Sequence, residues 1–328
     1  TINLAGEYTH HVVLNTVICR MEINSIGLAT ASTITSTDID VGTMALDFAS
    51  GQWNTFDFNR LNLTDPYGML VKAVLSTGTK LLVSNSRFTR FRWSGAMRFN
   101  FVTFTNNNIV LPTKYLTPGD PSYLFNGTFL AAINMTGVDM YNSTVGLYGN
   151  EIRHSGMYGL ILSKATYNIT RFIVTENLFT DMEQCIFVDD NLIVDRVSSA
   201  SVVNNVLNCT DMCVSMIARN FRLTFNRNKM QNCGLELVLS GGDPLIIDGS
   251  GLTKVGIIHS GDDDQLVDIR NSTIGNMTVI RNGGDNITLI VNGSEIENLT
   301  IVTDVPVTND TIIIDDTRIT NPADIQLG

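Results

Sequence analysis

The sequence predicts an all-β solenoid, a parallel β-helix of roughly 10–12 rungs with 21–28 residues in each. Three observations predict it. The composition favours strands and turns: 26 Gly, 33 Asn and 57 Ser plus Thr accompany a charged content of only 16%. Amphipathic helices place Glu, Lys, Arg and Ala on their wet faces, and these are too sparse here. A phrase also recurs along the chain: apolar, two free positions, Asn, one free position, apolar. Between its recurrences, no window of 12 or more residues carries an i, i+3, i+4 apolar stripe.

Residues 1–50 are the least regular part. "TINLAGEYTHHVVLNTVICRMEI" reads as an opening rung or cap, and "TASTITSTDIDV" as a Thr-rich strand or linker. The helix proper is expected over residues 51–328. Its corner column is clearest at Asn107, Asn150, Asn177, Asn205 and Asn228, and continues as Ser250, Ser272, Ser294 and Thr317. From Asn150 onward the spacings are 27, 28, 23, 22, 22, 22 and 23. Asn59 and Ser86 fit upstream, Asn24 is a candidate first member, and Thr128 or Thr136 would fill the long gap before Asn150. "LPTKYLTPGDPS" (111–122) reads as a surface loop within a rung.

Two apolar columns run in phase with the corner. One lies two residues after it (Ile152, Phe179, Leu207, Met230, Leu252, Ile274, Ile296, Ile319) and one three before it (Leu147, Val174, Val202, Phe225, Ile247, Ile269, Val291, Ile314). Stacked at ~4.8 Å per rung, about eleven rungs make a rod ~50 Å long. Asn at a bend tolerates the left-handed conformation. Its amide also donates to and accepts from the rungs above and below. In these features residues 50–328 resemble the right-handed parallel β-helix superfamily, the pectin-lyase-like proteins, whose members carry such an Asn ladder at one turn. The resemblance implies a fold and not an activity.

The net charge of −11 without a basic cluster argues against nucleic acid or an anionic membrane as partner. No apolar run reaches the ~18–20 residues of a membrane-spanning helix. Twelve N-glycosylation sequons stand at Asn62, Asn126, Asn134, Asn142, Asn168, Asn208, Asn271, Asn276, Asn286, Asn292, Asn298 and Asn309. Chance at this composition predicts five or six. Five cysteines include Cys185 and Cys213, 28 residues apart and therefore expected in one column. Cys209 and Cys233 are a second candidate pair one position out of register, which leaves Cys19 over. Reduced thiols in a cytosolic solenoid are the alternative; beside so many sequons, disulfides are favoured.

Relatives of this fold that cut acidic polysaccharides use clustered Asp with Gly-His-Gly and Arg-x-Lys, or calcium-binding Asp with a basic residue; neither signature is present. The best local constellation is Arg153 and His154 with Asp181 one rung above, for which a surface ion pair is the simpler reading. "GDDDQLVD" offers calcium ligands in Asp262, Asp263, Asp264 and Asp268, but lacks an EF-hand frame. Apart from calcium at this segment, no cofactor is expected. The last rung, ending in "NPADIQLG", has no amphipathic helix to cover it, so a further chain segment or self-association is expected there. The expected function is a secreted or surface-displayed glycoprotein on a cell or virion, structural or adhesive, as a rod, fibre, spike or filament subunit. The alternatives are a polysaccharide lyase or hydrolase, and a non-catalytic carbohydrate-binding or viral attachment module. Only four of the 21 basic residues follow residue 250, which disfavours grip on a polyanion by that half.

Overall fold

The structure is a computed structural model and describes residues 2–4, 9–11, 18–25, 29–30, 33–37, 39–48, 51–52, 55–64, 68–111, 131–136, 138, 140–154, 157–163, 167–168, 171–189, 198–219, 221–240, 244–260, 264–284, 286–303 and 309–326. Among them every regular element is a strand, and every strand pairing is parallel to the coil before or after. The chain is therefore a parallel β-solenoid.

One sheet has 13 strands, running from Thr9–His11 to Thr311–Asp315. A larger sheet of 26 strands closes the coil. Alternation puts one side of each strand inward. In the 13-strand sheet, Val145, Phe172, Ala200, Leu223, Leu245, Val267 and Leu289 stack in register and are buried, as are Leu147, Val174, Val202, Phe225, Ile247, Ile269 and Val291. The second of these is the predicted column three before the corner; the predicted column two after it is buried as well at Ile152, Leu207, Met230, Leu252, Ile274 and Ile296. Phe179, beyond the corner, is fully buried too.

The outline of the coil changes along the rod. In the middle coils, a short strand after the corner (Leu178–Thr180, Val206–Asn208, Lys229–Gln231) is separated by a second bend from a longer one (Gln184–Asp189, Met212–Arg219, Gly234–Ser240). After Ser250 the bend is gone, and each pair is one nine-residue strand: Gly251–His259, Thr273–Arg281, Glu295–Thr303. The core changes with it. Phe58, Phe88, Phe91, Trp93, Phe104, Phe179 and Phe225 fill the earlier coils, and only aliphatic residues and Met fill the later ones.

The register corrects several sequence expectations. Asn107 and Asn150 sit on adjacent coils despite 43 residues between them, because Phe101–Thr105 pairs directly with Thr144–Tyr148. The extra length is an insertion within one coil, so neither Thr128, outside the described residues, nor Thr136, paired with Ser163 on another face, is a corner rung. The loop expected over 111–122 lies almost entirely outside the described residues. Asn59 aligns with Ser84, two positions short of the corner, and Asn24 pairs with Asp47 in the larger sheet. The corner residue of those early coils is apolar: Leu61 gives its N–H to Ser86 Oγ at 2.9 Å.

Candidate functional site

The buried corner ladder is the most ordered polar feature of the solenoid. Each corner residue donates its backbone N–H to the side-chain oxygen of the next: Ser86 to Asn107, Asn107 to Asn150, Asn150 to Asn177, Asn177 to Asn205 and Asn205 to Asn228, at 2.9–3.0 Å. The same step continues from Asn228 to Ser250, Ser272 and Ser294 at 3.2 Å, and reaches Thr317 at 3.4 Å. In the Asn coils the side-chain amide adds two bonds. Asn177 Nδ2 donates to Asn205 Oδ1 at 3.1 Å and to Leu147 O, on the coil before, at 2.9 Å. Ser and Thr keep the acceptor, and turn the hydroxyl back to a carbonyl two residues earlier, as Ser272 does to Arg270 O at 2.7 Å.

The bend itself is made one residue earlier than the sequence implies. The corner Asn residues have ordinary φ, and the left-handed residues are their predecessors: Asn85, Asn106, Gly149, Glu176, Asn204, Arg227, Gly249, Asn271, Gly293 and Asp316. The ladder therefore fixes the bend by hydrogen bonding strongly enough that Glu176 and Arg227 tolerate a conformation usually left to Gly and Asn. At Gly149 a Cβ would lie 2.5 Å from Asn106 Oδ1, the end of a side chain that would have to turn away to admit it.

A second corner, unforeseen in the sequence, carries a shorter ladder. Thr79 N–H donates to Asn100 Oδ1 at 3.0 Å, and Asn100 N–H to Ser143 Oγ at 3.1 Å. Ile287 N–H meets Asp310 Oδ1 at 3.0 Å at the same corner of the late coils. The left-handed residues before these positions are Gly78, Phe99, Asn142, Asp264, Asn286 and Asn309. Its members are too varied in type and spacing to form a readable column.

The four clustered cysteines form two buried disulfides, Cys185–Cys209 and Cys213–Cys233. The cysteines expected to pair do so, but the expected pairs, 185 with 213 and 209 with 233, are exchanged. Cys185 and Cys213 are in register, flanked by the Gln184–Met212 and Ile186–Val214 pairs. In-register Cβ atoms on parallel strands stand about 4.8 Å apart, beyond the 3.5–4.5 Å a disulfide wants. The bridges instead run between the strand and the neighbouring coil's second bend, with Cα separations of 5.9 and 5.1 Å. A register shift between Met212 and Val214 moves Cys213 toward Cys233. Together they tie three successive coils where that bend is about to disappear. Two disulfides fit folding in an oxidising compartment.

The sequons divide cleanly by burial. Buried asparagines among the described residues are Asn100, Asn107, Asn150, Asn177, Asn205 and Asn228, none of them a sequon. The sequon residues Asn142, Asn271, Asn276, Asn286, Asn292 and Asn309 are exposed, and Asn62, Asn134, Asn208 and Asn298 are half-buried. Four of them, Asn142, Asn271, Asn286 and Asn309, are left-handed corner residues projecting from the rod. Asn276 and Asn298 are in register one coil apart, and Asn298 Nδ2 donates to Asn276 Oδ1 at 2.7 Å, so two glycans there would crowd. Asn126 lies outside the described residues, as does the side chain of Asn168.

Among the described residues, no contact joins Arg153 and Asp181. Arg153 pairs with Glu151 on its own strand, while Asp181 is a left-handed turn residue accepting from Thr180 Oγ1 at 3.4 Å. His154 lies on Glu151–His154, its side chain outside the described residues. Of the calcium candidates, Asp262 and Asp263 fall outside the described residues, and Asp264 is an exposed turn residue. Asp268 is buried and bound by Arg270 through Nε at 2.7 Å and through Nη2. That pairing raises the Arg270 pKa above its ordinary value and occupies the carboxylate that calcium would need. On the outer face, the missing side chain of Gly256 leaves a shallow concavity of about 230 Å³, walled by Met212, Glu236, Lys254, Ile258 and Thr278.

Inside the late coils an inward column turns polar: Leu239, His259, Arg281 and Thr303 are in register. Arg281 Nη1 pairs with Asp310 Oδ2 at 3.0 Å, both largely buried, and Nη2 donates to Gly284 O. His259 Nδ1 bonds Gly283 O at 3.1 Å. The 22-residue spacing of His259 and Arg281 was the available sequence signal. Breaking such a pair strands a buried charge. Asp310→Asn is expected to destabilise the C-terminal coils by about 3–5 kcal/mol, while Arg281→Met combined with Asp310→Leu recovers most of that loss. Urea unfolding of the two variants checks this.

Compared with known proteins, the chain matches no family model, no curated protein and no solved structure. What fold and site define is the class: a disulfide-stapled parallel β-solenoid with a buried polar ladder.

Proposed function

We propose that this protein is a secreted or surface-displayed glycoprotein with a structural or adhesive role, a glycan-shielded rod that joins end to end. The observation that carries the reading is the surplus of sequons, twelve where the composition predicts five or six, with the described ones exposed or half-buried. We further infer that it belongs with the right-handed, pectin-lyase-like helices; the stacked Asn amides support that assignment.

The end-to-end part rests on the last coil. Ile312, Ile314, Ile319 and Ile325 continue inward columns whose preceding members, Leu289, Val291, Ile296 and Ile301, are at most 3% exposed. Yet Ile312 and Ile325 are 39% and 44% exposed. Each inner coil presents this same surface to a coil of like pattern, so it suits a further coil of that pattern, from the continuing chain or from a second copy. Such heterologous contacts propagate into filaments.

Intact mass of protein from a secretory eukaryotic host, before and after glycosidase, tests the first part. Loss of several glycan masses is expected, and an unchanged mass would remove the glycoprotein reading. For the second, light scattering should show concentration-dependent growth that Ile312→Lys with Ile325→Lys abolishes. A wild-type protein that stays monomeric at high concentration refutes the end contact.

A further inference from the structure

We propose that Phe99, with Tyr141, is an aromatic seat for the first sugars of a glycan on Asn142. The inference rests on the glycoprotein reading above and adds a specific contact to it. Arg98 pairs with Tyr141 in register, and Phe99 N–H donates to Tyr141 O at 2.8 Å, so Phe99 lies directly beneath Asn142 one coil away. Both are left-handed, with φ of 53° and 51°.

That conformation makes Phe99 unusual. The other left-handed residues of this corner are Gly78, Asn142, Asp264, Asn286 and Asn309, types that accept it at little cost. Phe99 is the only aromatic residue with positive φ among the described residues. A bulky ring held in a disfavoured conformation needs a reason beyond the turn, which any Gly or Asn would make better. Burial does not supply one, since the ring is 49% exposed. The platform is nonetheless ordered. Phe99 meets Tyr141 edge-on with centroids 5.8 Å apart, and the Arg98 guanidinium lies 5.9 Å from the Tyr141 ring centre.

Asn142 is held in matching order. Ser143, the next residue, is buried; its hydroxyl accepts from Asn100 N–H and donates to Tyr141 O, each at 3.1 Å. The backbone of the sequon Asn-Ser-Thr is thus held in place, and the Phe99 backbone lies about 4.8 Å away, the spacing of adjacent strands. A pyranose has an apolar C–H face of about that width. Laid over the ring it removes exposed aromatic surface from water, the gain that drives apolar contact. The exposed Phe and the strained backbone then have one explanation.

The test is a double-mutant cycle on protein secreted by a glycosylating host, with glycopeptide mass spectrometry at Asn142. Phe99→Asn removes the ring and suits the left-handed backbone; Asn142→Asp removes the glycan and keeps a residue that accepts it. With the glycan present, Phe99→Asn should lower Tm by about 2–4 °C relative to its effect in the Asn142→Asp background. Trimming the glycan to its first sugar should preserve the difference. Equal shifts in both backgrounds would overturn the seat while leaving Asn142 a glycosylation site. Sugar at other sequons but none at Asn142 also overturns it, without touching the glycoprotein reading; no sugar anywhere overturns both.

Discussion

Asn177→Ala is expected to destabilise the central coils by about 3–5 kcal/mol. The side chain is the middle link of the buried ladder. Its Oδ1 accepts both the backbone N–H and the amide of Asn150, and its Nδ2 serves Leu147 O, Thr175 O and Asn205 Oδ1. Alanine leaves buried donors and acceptors on two neighbouring coils without partners, at about 1–3 kcal/mol each. Asn177→Ser should cost roughly half as much, because the chain itself uses serine at Ser250, Ser272 and Ser294, where the hydroxyl still accepts the preceding N–H. Hydrogen exchange of the amides of Val174, Phe179 and Leu207 gives the local readout. Solenoid coils depend mainly on nearest neighbours, so the effect should fade within a few coils. Equal losses for the two substitutions would show that the second amide bond, and not the backbone link, holds the corner.

The second large effect concerns the disulfides. Cleavage of unreduced protein at Asp211 or Met212 separates Cys209 from Cys213. The fragment holding Cys185 and Cys209 should then part from the fragment holding Cys213 and Cys233, unless chain contacts are left undenatured. In-register pairing would keep them joined until reduction. Loss of either bridge, by Cys209→Ala with Cys185→Ala or by Cys213→Ala with Cys233→Ala, should cost about 2–4 kcal/mol, read as a lower urea midpoint. The bridges close loops with sequence separations of 24 and 20, so their contributions should be similar. Reduction should act most on the coils between Leu178 and Ser240, where the second bend has no polar ladder of comparable length.

The expected effects are largest where the sequence was most regular, and that regularity was legible for a physical reason. Val174, Asn177 and Phe179 follow one another at offsets that recur in every coil, because each coil buries the same positions against the same neighbours. Columns of this kind are written into the local order of residues. Sites that depend on which coil lies beside which were less legible. The 43 residues between Asn107 and Asn150 left room for a rung that does not exist, since an insertion and a coil look alike in spacing. Asn59 matched the phrase but stands two positions from the corner, where Leu61 serves instead.

The sequence by itself determined the coiling, the inward columns, the four bridging cysteines and a surplus of sequons. All of these follow from residue type and period. Only the tertiary structure decided which residue takes the left-handed bend, how the cysteines pair, and that Phe99 lies under Asn142. Those outcomes turn on register between coils, which hydrogen bonds across bulges and insertions set, and on distances of an ångström or two that no linear spacing encodes.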